Sequence, residues 1–210
     1  MFNYKCIISN LLEENIYILF DENKDAIIID PGLGFQLIDD FIKNNHLNPI
    51  AVLATHAHID HIASAEKCQS SYSIPIYMCK EDFLLIENYE KLATFWKVEA
   101  KKPQITNWID KNETEIQINN FKFRCFFNPG HSPGCMSFEI DGIIFCGDLI
   151  FKGSIGRTDL PASNPLDMEK SLESFVNSFD KNSILCTGHG EQTSLAQELK
   201  TNPYLMKYAK

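Results

Sequence analysis

The sequence predicts an α/β fold built as two similar halves, two sheets packed face to face with helices outside. Three observations predict it. Short apolar runs of strand length alternate with helical periodicity along most of the 210 residues. The order strands, helix, strand, helix occurs twice, with an irregular polar stretch over 99–113 where the halves join. Residue types that ligate metals stand at turns just after apolar strands, where α/β folds place ligand sites.

Taken in order, residues 2–8 and 15–20 read as β segments with a turn at Glu13-Glu14-Asn15. Ala26–Ile29 is a third, ended by Asp30-Pro31-Gly32, since Pro and Gly punctuate strands. Leu37, Ile38, Phe41 and Ile42 share one face of a helix reaching to about His46. His46 itself reads as a solvated residue helped by the helix dipole, not as a ligand. A strand over 50–54 precedes a helix over about 61–71, and Ile74–Met78 is another short strand. From Lys80 to Val98 the pattern is helical, with Phe83, Leu84, Ile86, Tyr89, Leu92, Phe95 and Trp96 apolar. Those side chains are expected to pack against the sheet, a lid over a metal site being the sharper alternative.

The second half opens on a hairpin, Glu115–Ile118 and Phe121–Phe127 around Asn119-Asn120. Pro129 to Gly134 breaks the chain, and strands Met136–Ile140 and Ile143–Cys146 flank an Asp141-Gly142 turn. A Gly-rich loop, 153–164, runs into a helix with Asn164 as N-cap and Pro165 at its first position. Leu172, Phe175, Val176 and Phe179 form its apolar face. A last strand, Ser183–Thr187, leads to a helical end from about Ser194 to Tyr208, interrupted at Pro203.

Length and composition bound the function. One domain over residues 1–210 has room for a core without disulfide staples. A net charge of −9, with Arg only at 124 and 157, argues against a nucleic-acid partner. No apolar stretch has the length of a membrane span, and no leader pattern opens the chain. Seven cysteines without Cys-x-x-Cys suit reduced buried thiols and a cytoplasmic protein.

The chemistry concentrates in Thr55-His56-Ala57-His58-Ile59-Asp60-His61. The chain has six His, and three of them fall within these positions beside a carboxylate. Neutral imidazole and carboxylate are what zinc or iron takes as ligands. Three further ligand-type residues end apolar strands, each wrapped in glycine: Gly130-His131, Gly147-Asp148 and Gly188-His189-Gly190. Strand ends on one edge of a sandwich can converge on one point, so these residues read together as ligands. Thr55 and Ser132 read as turn formers, and Cys135 as a buried inert thiol.

With these motifs in hand, the chain resembles the metallo-β-lactamase-fold hydrolases over nearly its whole length. Their His-x-His-x-Asp-His motif, later His, Asp and final His are matched in order. The resemblance implies a four-layer αβ/βα sandwich. It implies that His56, His58 and His131 hold one metal, Asp60, His61 and His189 a second, with Asp148 bridging. Two divalent ions follow, zinc first, with iron or manganese as alternatives. Asp148 stands where many β-lactamases carry Cys, which disfavours antibiotic hydrolysis. Pro129–Gly134, Gly147–Phe151 and Gly153–Pro161 are similar to the short bacterial glyoxalase II group. Longer members add a C-terminal helical domain that helps hold glutathione; this chain runs only about 20 residues past His189, so that domain is expected to be absent.

The implied activity is hydrolysis of an S-2-hydroxyacyl thioester, a small-molecule substrate, with a metal-bridging hydroxide as nucleophile oriented by Asp60 and Asp148. A thiolate leaves without a strong acid, because thiol pKa values lie at about 8.5. Arg157 and Asp159 are expected to form an ion pair that shapes the loop or meets substrate. An iron-dependent persulfide dioxygenase is the alternative enzyme, and a non-catalytic metal-binding or sensor protein the alternative of another class.

Overall fold

The structure, a computed structural model, describes residues 2–9 and 12–209. It divides into two compact units, Met1–Ile109 and Asp110–Lys210, each built around its own six-stranded sheet among the described residues.

In the first unit β1 (Asn3–Ile8), β2 (Asn15–Phe20) and β3 (Asp25–Ile29) form an antiparallel meander. α1 (Phe35–Asn44) crosses over to β4 (Asn48–Leu53), which lies parallel to β3. The short α2 (Ile59–Ile62) and α3 (Ala65–Tyr72) lead to β5 (Ile76–Cys79), then α4 (Phe83–Glu87) and α5 (Tyr89–Trp96) to β6 (Asn107–Ile109), both strands parallel. Ile16–Leu19 and Ala26–Ile29 are fully buried or nearly so, as inner strands covered on both faces require. Pro49 is tolerated inside β4 because the ladder with β3 bulges there, Ala26 facing Pro49 and Ile27 facing Ala51.

In the second unit β7 (Glu115–Ile118), β8 (Phe121–Phe127), β9 (Met136–Ile140) and β10 (Ile143–Gly147) are antiparallel. β8 alternates, with Phe121, Phe123 and Cys125 buried and Lys122 and Arg124 exposed. Asp141 and Gly142 both take positive φ, 50° and 79°, the turn that matches strand twist. A two-stranded hairpin of β11 (Ile150–Phe151) and β12 (Ser154–Ile155) follows, then α6 (Pro165–Ser178). The Asn164 side chain caps α6 by accepting from the Leu166 and Asp167 amides. β13 (Ile184–Thr187) pairs parallel with β10, β14 (Thr193–Ser194) closes the edge, and α7 (Leu195–Thr201) ends at Asn202-Pro203. Met168, Leu172, Phe175 and Val176 bury one face of α6 in this unit's core.

Four differences from the sequence expectation have physical causes. The helix of 61–71 begins earlier, at Ile59, and breaks at Ala63-Ser64, where the Ser64 amide donates to the Pro31 carbonyl at 2.8 Å. The 80–98 helix breaks at Asn88, and its two pieces α4 and α5 bury only Ile86, Tyr89 and Ala93, one helical face. Leu84, Phe95 and Trp96 stand exposed, so packing against the sheet does not hold for them, while Phe83, also exposed, keeps an edge contact with Trp108 of β6. The polar 99–113 stretch contains β6, whose register comes from β5 and not from local apolar pattern. The β11–β12 hairpin, with strands of two residues each, was too short to show as a period. No helix among the described residues is long and apolar enough to cross a membrane.

Candidate metal centre

In the first unit the chain turns after β4 through Ala54 and Thr55 into the His-rich stretch. Ile59 and Ile62 bury together, which folds α2 and carries Asp60 and His61 on one helical turn. His56 and His61 are fully buried; His58 and Asp60 are half-buried. The ring centroids of His56 lie 4.1 Å from those of His61 and 4.7 Å from those of His58. Such a cluster binds metal only where each imidazole presents a lone pair, so its tautomers decide its chemistry.

Asp30, buried at the end of β3, decides two of them. Its Oδ1 accepts from the Thr55 amide at 2.7 Å, and its Oδ2 accepts the Thr55 hydroxyl at 2.7 Å. His61 Nδ1 donates to the same Oδ2 at 3.0 Å. Because the Thr55 hydroxyl proton goes to Asp30, its oxygen accepts from His56 Nδ1 at 3.0 Å. Both imidazoles therefore carry the proton on Nδ1 and the lone pair on Nε2. Carboxylate support of this kind orients a ligand and raises its basicity. Asp82, fully buried, accepts from the Ala57 amide at 2.8 Å and fixes the backbone between His56 and His58. A Cβ at Gly32 would overlap the Asp60 carbonyl oxygen and the Glu14 carboxylate, so glycine is required at this close approach.

In the second unit β8 leads to His131, β10 to Asp148 and β13 to His189. The Gly188 amide donates to the Gly147 carbonyl at 2.9 Å, joining two of these turns. His131 Nδ1 lies 2.8 Å from the Arg157 carbonyl, which only accepts, so its lone pair also sits on Nε2. That Nε2 is 3.2 Å from Asp148 Oδ2, and His189 Nε2 is 3.7 Å from the same oxygen. A nitrogen lone pair facing a carboxylate oxygen at this range repels unless a proton or cation lies against both. Imidazole nitrogens and carboxylate oxygens are the donor set of a divalent metal, so the residues fit one. Within the first unit, ligand atoms of Asp30, His56 and His61 lie within 4.8 Å of one another. Of these, Asp30 holds Nδ1 of His61, which casts it as support and not as a ligand.

Arg157 and Asp159 form a two-pronged pair, Nε to Oδ1 at 2.6 Å and a second contact at 2.8 Å, with both side chains exposed. The pair holds the Asp159 carboxyl below the usual range and pushes the Arg157 guanidinium up. What Arg157 gives His131 is its backbone carbonyl. Cys135 is buried, with Sγ accepting from the Ser132 amide at 3.2 Å, a turn-forming contact.

The sequence pattern of the metallo-beta-lactamase superfamily matches residues 10–189. The chain belongs to that superfamily. It is accordingly a metal-dependent hydrolase, and its two sheets with helices are of the metallo-β-lactamase sandwich class. Hydroxyacylglutathione hydrolase GloC of Haemophilus influenzae is 29% identical over 209 residues, covering 97% of this chain and 98% of that protein. Among solved structures, BLEG-1 B3 metallo-beta-lactamase superposes with a TM-score of 0.91 at 30% identity, covering 97% of this chain and 99% of that one. TTHA1623 in a di-iron-bound form gives 0.86 at 30% identity, over 96% and 100%.

Reading the sequence of this metallo-β-lactamase-fold protein missed Asp30 and Asp82. Asp30 showed only as a turn residue. Its one local signal was a charge placed directly behind a fully apolar strand, a position where burial demands partners.

Proposed function

We propose that the protein is a thioesterase cleaving S-2-hydroxyacyl thioesters, of the glyoxalase II kind. One observation carries the reading: a hydroxyacylglutathione hydrolase aligns with 97% of this chain over 98% of its own length. In this reading His56, His58 and His131 would hold one divalent ion and Asp60, His61 and His189 a second, with Asp148 shared. Zinc is the first choice; the di-iron form of TTHA1623 makes iron the ion to test beside it, with manganese a third candidate. Such a pair, when bound, supplies hydroxide from water near neutral pH and polarises a carbonyl oxygen.

The chain's own residues do the rest. Asp60 and Asp148 accept hydrogen bonds from the attacking water and aim it at the carbonyl carbon. Asp30, directly and through Thr55, keeps His61 and His56 in the lone-pair-forward tautomer. Hydroxide oxygen bonds to the acyl carbon, the C–S bond breaks, the thiolate leaves with its electron pair, and the carboxylic acid formed gives its proton to solvent. No acid is needed for a leaving group whose pKa is about 8.5. The partner is thus a small-molecule thioester, without nucleic acid or membrane. We place the enzyme in the cytoplasm, since its seven cysteines form no disulfide among the described residues.

The test is hydrolysis of S-lactoylglutathione by metal-loaded protein beside a His58→Ala variant. Turnover that disappears in the folded variant supports the reading; full thioesterase activity in it sinks the reading. The likeness to BLEG-1 favours a second reading, β-lactam hydrolysis, which a nitrocefin assay on the same sample separates. Oxygen uptake on glutathione persulfide would instead identify the iron-dependent dioxygenase, and no turnover on any of these a sensor.

A further inference from the structure

We infer that Glu198 is a positioning residue for His189, acting through two loops from the C-terminal helix. The inference rests on the reading of His189 as a metal ligand. Glu198 lies on α7, is fully buried, and bonds to Gly153, Thr193 and Asn202, none of them a ligand residue. A buried carboxylate persists only where donors surround it, so its donors show what it is for. Its Oε1 accepts from the Thr193 hydroxyl at 2.6 Å. Its Oε2 accepts from the Gly153 amide at 2.7 Å and the Asn202 side-chain amide at 2.9 Å.

These partners bracket His189 from both sides. Thr193 begins β14, the far end of the 188–192 loop in which His189 sits. Gly153, at φ 76°, is the turn of the β11–β12 hairpin. Asn202, itself fully buried, shares its side-chain amide among Glu198 and the carbonyls of Ser154 at 2.9 Å and Phe151 at 3.3 Å. The hairpin so held presents the Phe151 ring edge-on to the His189 imidazole, centroids 5.8 Å apart at 88°. At its tip Lys152 pairs with Glu191 of the His189 loop. With two residues per strand, the hairpin has little of its own to hold its shape. Glu198 supplies a rigid anchor common to both loops, and so sets where His189 Nε2 stands relative to Asp148.

The experiment compares wild type with Glu198→Ala, Glu198→Gln, Thr193→Val and His189→Ala. It measures zinc retained per chain against a competing chelator, together with amide hydrogen exchange over 150–155 and 188–192. Glu198→Ala is expected to weaken the more loosely held zinc about tenfold, the lower end of the effect of removing a group that orients a ligand. Exchange in both loops should quicken. Glu198→Gln should restore retention, because its amide oxygen still accepts from Gly153 and its NH2 donates to the Thr193 oxygen. Rescue by an uncharged isostere marks positioning, whereas a charge effect would not be rescued. Thr193→Val should quicken exchange over 188–192.

Folded Glu198→Ala with wild-type zinc retention and wild-type exchange overturns the inference. If Glu198→Ala does not fold, unchanged retention and exchange in Thr193→Val overturns it. Should His189→Ala keep all its zinc, the ligand reading itself fails. The tether is then judged on exchange alone: unchanged rates in the Glu198 and Thr193 variants overturn it, and faster rates support it.

Discussion

Asp30 accepts a hydrogen bond from the Thr55 hydroxyl at 2.7 Å, and that bond decides which nitrogen of His56 carries its proton and which its lone pair. One carboxylate thereby governs two imidazoles, which the proposed reading gives to different metals. Asp30→Ala strands the Thr55 amide, the Thr55 hydroxyl and His61 Nδ1. Each stranded buried donor costs about 1–3 kcal/mol, so stability should fall by about 3 kcal/mol or more. Metal affinity should fall about 10–100-fold. Thr55→Val removes the hydroxyl's bonds to Asp30 and to His56 but leaves Asp30 on His61, so its loss of affinity should fall toward the lower end of that range. Thermal unfolding and chelator competition read both effects; wild-type affinity in Asp30→Ala would show that the tautomer chain is irrelevant.

Gly156 does in the second unit what Gly32 does in the first, allowing a close backbone approach beside site residues. A Cβ there would overlap the Asp148 carbonyl oxygen and stand 3.3 Å from His131 Cγ. Gly156→Ala should cost about 1–3 kcal/mol, the usual penalty of overpacking, and lower metal retention. Gly142→Ala is the comparison, since its Cβ meets open space and only the positive φ is strained. Equal metal loss in the two would place the effect in general instability.

The α4–α5 region separates what pattern and structure say about stability. Tyr89 is buried, and Tyr89→Ala should destabilise by about 3–5 kcal/mol. Phe95 is 74% exposed, and Phe95→Ser should change stability by no more than about 0.5 kcal/mol. Denaturant titration of the two variants is sufficient; a large loss in Phe95→Ser would mean that this face is covered.

Burial pushes the Cys68 and Cys125 thiols up to about 12. The thiolate is the reactive form, and below its pKa its fraction grows tenfold per pH unit. At pH 8 alkylation of these two cysteines in the folded protein should be slower than in the urea-unfolded chain by about a thousandfold. Peptide mapping after timed labelling checks it.

Much of this was legible beforehand, for identifiable reasons. The strands showed because inner strands are apolar throughout, as in Ala26–Ile29, and because Asp141-Gly142 has the one chemistry its turn tolerates. The metal-ligand types stood out because His is scarce in this chain and clusters at strand ends. Asp30 was not legible as support, since its partner His61 lies 31 residues away and nothing local encodes that meeting. Glu198 was hidden likewise, 45 residues from Gly153. The exposure of Phe95 and Trp96 was not legible because apolar character on two helical faces does not say which face is covered.

The most direct test of the central claim joins metal content to hydrolysis of S-lactoylglutathione on one preparation. The account predicts about two divalent ions per chain, turnover that disappears when a chelator removes them, and return of turnover when they are restored. Undiminished hydrolysis by metal-free protein, or fully loaded protein with no hydrolysis, would contradict it.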